Sequence, residues 1–153
     1  MANFQSFIDK IIDAIRRDDL ESYLPLIDLP YLINTAAGSH FFVRQSELVD
    51  NFHLFRMGFF KMGFVDASAK VVSSTMLGES LASFIFETQP VREDGQPVDP
   101  YLTCMTVRKV RGRWCAISAT ASVGMYDWHE RMKLTEKGVY TVAPPVHPDF
   151  APH

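Results

Sequence analysis

At Gly63 the hydrophobic period of this chain changes. Before it, Phe4, Phe7, Ile8, Ile11, Ile12 and Ile15 stand at offsets 0, 3, 4, 7, 8 and 11, one face of a helix, with Asp9, Lys10, Asp13 and Arg16 on the other. After it, Val65, Ala67, Ala69 and Val71 alternate with Asp66, Ser68 and Lys70, the period of two that a half-buried strand imposes. Helical stripes in the first half and long alternating strands in the second make an α+β fold: helices packed on one face of a strongly curved antiparallel sheet. A sheet curved in this way leaves a gap beneath the helices, where a ligand would sit. At 153 residues the chain is one domain, long enough to bury a core.

The remaining elements follow from local signals. Asp18 with Glu21 resembles a capping pair, so a second, short helix starts near Asp19 and bends at Pro25. Tyr31 to Thr35 and His40 to Arg44 read as short strands around a turn containing Gly38. Ser46 and Glu47 open a third helix with the stripe Leu48, Phe52, Phe55, Phe59 and Met62, and Gly63 closes it. Beyond the strand that ends about Met76, Leu81 to Val91, Tyr101 to Val110 and Trp114 to Ser122 are further strands, the last two joined at Arg111-Gly112-Arg113. Residues 1–123 form the domain, 124–142 a short extension, and 143–153, with four prolines, an extended or disordered tail.

With 15 Lys plus Arg against 18 Asp plus Glu, the net charge of -3 supplies no basic surface for a phosphate backbone, so no nucleic-acid partner is expected. Asp9 and Asp13 interrupt the N-terminal apolar pattern, and no other segment approaches a membrane span. Cys104 and Cys115 lie on neighbouring strands; two reduced thiols in a cytoplasmic protein is the reading.

The order of elements resembles the nuclear transport factor 2-like, or cystatin-like cone, superfamily. The resemblance rests on the amphipathic first helix, Arg17-Asp18-Asp19-Leu20 where that family usually has Gly-Asp-Leu, the strand pair with Gly38, the third helix ending at Gly63, and four long strands finishing in Gly112-Arg113-Trp114-Cys115-Ala116-Ile117. It covers about residues 1 to 123 and implies a conical pocket and homodimerisation through the outer sheet surface. Members include ketosteroid isomerases, dehydratases, polyketide cyclases, dioxygenase small subunits and transport adaptors, so the fold does not assign a reaction.

Ketosteroid-isomerase-like chemistry needs a carboxylate base beside an oxyanion hole made of a tyrosine hydroxyl and a protonated acid. With the comparison anchored on Asp19-Leu20 and Gly38, the resemblance puts the base position on Thr35 and the helix-one tyrosine on Ile11. The protonated acid would fall within Tyr101 to Val110, which contains no Asp or Glu. All three roles are vacant; Tyr23 and Tyr31 are near enough in sequence to offer a hydroxyl. The related dehydratases and cyclases use histidine with aspartate, which makes His53, oriented by Asp50, and His40 the general acid/base candidates. The plainer reading is a half-exposed helix side chain for His53 and a surface side chain for His40. The five histidines are separated by 13, 76, 18 and 6 residues with no metal-ligand motif, so neither metal nor cofactor is expected.

Twelve phenylalanines remain to be placed. Eight of them fall into a helix-one pair, a helix-three cluster and the strand pair Phe84 and Phe86, which can face one another as core or as pocket wall. The expectation is a small, mostly apolar or aromatic molecule held among Ile11, Tyr31, Thr35, Phe55, Phe59, Phe86, Cys104 and Ile117. The alternatives are a lyase, isomerase or cyclase using His53 or His40, and a protein-interaction module using the sheet surface or Trp128.

Overall fold

The computed structural model describes residues 3–36 and 38–122; the extension and tail expected beyond residue 123, with Trp128, lie outside them. Helix α1 spans Phe4–Arg16 and buries Phe4, Phe7, Ile8, Ile11 and Ala14, the face set by the sequence periodicity. Asn3 caps it by accepting from the Ser6 amide at 3.0 Å. Helix α2, Leu20–Tyr23, is capped by Asp19, which accepts from Ser22, and not by Asp18. Asp18 instead takes a left-handed φ of 58° at the α1–α2 junction, a conformation that aspartate tolerates better than most residues. A 3-10 turn at Leu24–Leu26 then absorbs Pro25.

Strands β1 (Ile27–Thr35) and β2 (Gly38–Phe42) form a hairpin, and α3 follows over Gln45–Lys61. Ser46 is inside this helix; Glu47 serves its N-terminus by accepting from the Arg44 amide at 2.9 Å. Gly63, at φ +84°, turns the chain from α3 into β3, a backbone angle that other residues adopt only with strain. Strands β3 (Phe64–Met76), β4 (Leu81–Arg92), β5 (Tyr101–Val110) and β6 (Arg113–Ala121) complete the sheet. Arg111 and Gly112, both at positive φ, make the β5–β6 turn, the geometry that matches the twist of a tight hairpin.

The curved, unclosed sheet has the order β2-β1-β6-β5-β4-β3. Its neighbours run antiparallel except β1 and β6, which are parallel, so the sheet is mixed. No tight turn joins that pair, and the chain between them leaves their relative direction free. Ala82, Phe84, Phe86 and Thr88 face the helices, whereas Ile85 is exposed on the outer face, which settles the parity of β4.

Aromatic rings pack against one another where α1 meets β4. Phe4 stacks on Phe84 at 5.0 Å and meets Trp114 edge-on at 5.4 Å, while Phe7 meets Phe84 edge-on at 6.3 Å. A second cluster of Phe59 and Phe64, with Phe55, Met62, Ala67, Val98 and Tyr101 against it, closes the side under α3. No helix among the described residues is long and apolar enough to cross a membrane.

Candidate ligand cavity

Away from the Phe4–Phe84 plug, the inner face of the sheet carries shorter side chains. Strand β6 presents Ala119 and Ala121, β5 presents Thr103, β4 presents Thr88 and β1 presents Thr35. These cannot span the distance to the helices, and a cavity of about 140 Å³ remains between them. Its opposite wall comes from α1, through Ile8, Ile11, Ile12 and Ile15, and from α3, through Phe52, Phe55 and Phe59. Phe86, Met105, Ile33 and Tyr31 complete the sheet side.

The rim is charged and tied between elements. Arg16 of α1 pairs with Asp66 of β3 at 3.3 Å and with Asp13 at 2.9 Å. Arg56 of α3 donates from Nε to the Ile15 carbonyl at 2.7 Å, lies 3.6 Å from an Asp18 carboxylate oxygen, and covers the exposed ring of Phe60 at 5.1 Å. Both guanidinium groups are therefore engaged with protein acceptors. Asp66 is the only acid among the described lining residues, and it is held by Arg16 and by the Ala67 amide at 2.8 Å.

Deeper in the wall the polar groups are neutral. Burial pushes the Tyr23 and Tyr31 hydroxyls well above the usual tyrosine range, the Tyr31 group further through the proximity of Tyr23. Burial takes Tyr101 up to about 12 against a hydrogen bond with Thr88 that acts in the opposite direction. All three stay protonated at neutral pH. Asn51, on the buried side of α3, is 4% exposed, and its Oδ1 has no hydrogen-bond partner among the described residues.

Of the residues expected around a ligand, Ile11, Tyr31, Thr35, Phe55, Phe59 and Phe86 line this cavity; Cys104 and Ile117 do not. Cys104 alternates with Thr103 and Met105, which point inward, so its own side chain takes the other face of β5. Ile117 is the extra residue where the β5–β6 register shifts between Val107 opposite Ala116 and Thr106 opposite Ser118, and a strand bulge breaks the alternation that the sequence implied.

The histidine candidates are apart from the wall. His53 is exposed and touches the edge of the Phe52 ring at 5.5 Å; Asp50 is exposed as well, and no hydrogen bond or ion pair joins them among the described residues. His40 is buried, contrary to its reading as a surface side chain. It stacks on Phe42 at 3.9 Å on the edge strand β2, and burial lowers its pKa against the opposing influence of Glu47. No group of three or more His, Cys, Asp or Glu that could hold a metal occurs among the described residues.

Asn51, Thr88, Tyr101 and Thr103 were not singled out as site residues by the sequence, and Tyr23 only as a hydroxyl near the site in sequence; all five line the cavity. Asn51 had a readable signal: it falls three residues after Leu48 and four before Phe55, a polar side chain in phase with an apolar stripe. The threonines gave none, because only the strand pairing shows that several of them share one end of the sheet.

No family model and no curated protein matches this sequence. Solved structures do. An NTF2-like protein of unknown function from Shewanella oneidensis superposes with a TM-score of 0.61 at 12% identity, over 77% of this chain and 94% of that one. The fold is nuclear transport factor 2-like. A cystatin-like domain of unknown function from Nostoc punctiforme gives 0.62 at 12% identity, over 89% and 85% of the two chains. A candidate aromatic ring hydroxylase from Novosphingobium aromaticivorans gives 0.55 at 14% identity, over 78% and 85%. In this nuclear transport factor 2-like fold the helices and the concave sheet enclose the cavity just described.

Proposed function

We propose that this protein binds a small, mostly apolar molecule in the cavity and does not carry out ketosteroid-isomerase-type proton transfer. The observation that carries this reading is the composition of the wall, whose aromatic and aliphatic surface holds neutral hydroxyls and an amide, with its one acid ion-paired at the rim. A general base needs an available carboxylate or imidazole within reach of the substrate, and His53 and Asp50 stand outside the lining residues. Ile11, Tyr31, Thr35, Phe55, Phe59 and Phe86 are the proposed ligand contacts.

The test is retention and competition. Native mass spectrometry of the purified protein is expected to show a bound small molecule, or thermal unfolding to shift upward with added single-ring aromatics. Ala119→Leu, which adds three branched heavy atoms to a cavity-lining side chain, is expected to abolish both effects while the circular dichroism spectrum is kept. No retained molecule, and no shift with any apolar probe, would overturn the reading.

The same reading includes a homodimer formed through the outer face of the sheet, in the cytoplasm. The exposed Ile85 and Leu102 on adjacent strands β4 and β5 support the first, and the free thiols Cys104 and Cys115 the second.

A further inference from the structure

We propose that the cavity selects uncharged single-ring molecules, and that Asp66 sets this selectivity by occupying Arg16, the cation at its mouth, in place of an anionic guest. This rests on the reading that the cavity binds a ligand, and adds the class of ligand and the residue that decides it. Size sets the first limit: at about 140 Å³ the space is comparable to the cavities of about 150 Å³ that hold one benzene ring in an apolar protein interior. The mouth sets the second. Of the described wall residues, Arg16, Phe60 and Val65 are the exposed ones, so the cavity opens where the end of α1, the end of α3 and the start of β3 meet. The charged wall residues, Arg16, Arg56 and Asp66, are on those same three elements, and every other described wall residue is uncharged. A guest carrying a charge must find its counterion at the mouth or be buried without one, which is costly.

Arg16 has no open fork for a carboxylate guest. Its Nη1 meets Asp66 Oδ1 at 3.3 Å and its Nη2 meets Asp13 Oδ1 at 2.9 Å, so both terminal nitrogens already face acids of the protein. Two carboxylates around one guanidinium also leave this cluster net negative, which repels an anion. Asp66 is held from a second side by the Ala67 amide, which donates to the same Oδ1 at 2.8 Å, so it is committed against an ammonium guest as well. Arg56 gives its Nε to the Ile15 carbonyl at 2.7 Å and has Asp18 at 3.6 Å. Of the acids around these two cations, Asp66 is the one that lines the cavity, and its removal is what turns Arg16 toward a guest.

Titration calorimetry of the full chain at neutral pH with benzyl alcohol, benzoate and benzylammonium tests this, because the three carry a neutral, an anionic and a cationic group on one carbon attached to the same ring. In the unmodified protein benzyl alcohol is expected to bind at least about tenfold more tightly than either ion, and more tightly than its two-ring counterpart 2-naphthylmethanol. In Asp66→Asn the ratio of benzoate to benzyl alcohol affinity is expected to rise about threefold, the worth of a partly exposed ion pair, while the benzylammonium ratio does not rise. Adding Arg16→Gln to that variant is expected to cancel the gain. Either ion bound as tightly as benzyl alcohol overturns the selectivity for uncharged guests, and tighter binding of the naphthyl alcohol overturns the size limit. A benzoate ratio that Asp66→Asn leaves unchanged, or a gain that survives Arg16→Gln, overturns the assignment to Asp66. Each of these results leaves the binding function standing, whereas failure of all four probes to bind overturns both. Asp66→Ser carries the same comparison should the asparagine variant not fold.

Discussion

His40 occupies a position where a proton is costly. Its ring lies against Phe42 with Nδ1 unpaired, and burial lowers its pKa in the folded state below the ordinary 6.5. The unfolded chain therefore takes up a proton first as pH falls. Stability is expected to decline from about pH 6.5 downward until the folded-state pKa is reached, and to level off below it as far as this group is concerned. His40→Phe keeps a ring on Phe42 and removes the titration, so its urea midpoint is expected to vary less across that window than that of the natural protein. An equal slope in both would show that other groups set the pH dependence. Nothing in the local sequence separated this histidine from a surface one, because its burial depends on β2 pairing with β1 and placing His40 opposite Ile33. Asn51 was more legible, since its phase within the helix-three stripe is a property of spacing alone.

At the scale of elements, Arg56 ties two helices that face the same cavity. Its Nε donates to the Ile15 carbonyl in the last turn of α1, an oxygen that also accepts from the Asp18 amide at 3.3 Å, and its side chain is largely buried. Arg56→Ala is expected to destabilise the fold by about 1.5–3 kcal/mol, the range for the loss of a hydrogen bond made by a charged group. Arg56→Lys is expected to recover little of the loss, because an ammonium cannot bond Ile15 and cover Phe60 with one planar group. Chemical denaturation of the three proteins measures this, and a loss below about 0.5 kcal/mol for the alanine variant would show that the contact is incidental. Element boundaries were legible where one physical signal dominated. The amphipathic stripe of α1, Gly63 after α3 and the tight turn at Gly112 all fall where the sequence put them. Strand β1 was read as starting at Tyr31 because Pro25 and Pro30 look like breakers. It begins at Ile27, and Pro30 is accommodated where the register with β6 shifts between Ile27 and Leu32 and before pairing with β2 begins.

For the molecule as a whole, the arrangement of apolar surface distinguishes one face from the other. Inward-facing Phe84 and Phe86 are buried, whereas Ile85 between them and Leu102 across the β4–β5 pair remain exposed. If the outer sheet face joins two copies, Ile85→Asp is expected to shift the mass seen by light scattering from dimer to monomer, since a carboxylate in a symmetric contact meets its own copy. A monomer in the unmodified protein would remove the dimer from the functional reading. The α+β class and the place of the cavity were legible from the change of period and from where phenylalanine clusters. The parallel seam between β1 and β6 was not, because strand spacing carries no information about which distant strands become neighbours.

That seam has a consequence for synthesis. Strand β6 is the last described strand to leave the ribosome, and it joins β1 and β2 to the other half of the sheet while contributing Ala119 and Ala121 to the cavity wall. Pairing across so long a stretch of chain is entropically slow and follows the local hairpins. A nascent chain that stops short of β6 lacks the strand that joins the two parts of the sheet and the Ala119 and Ala121 wall, so under the proposed function a guest would be captured only once this strand has been added.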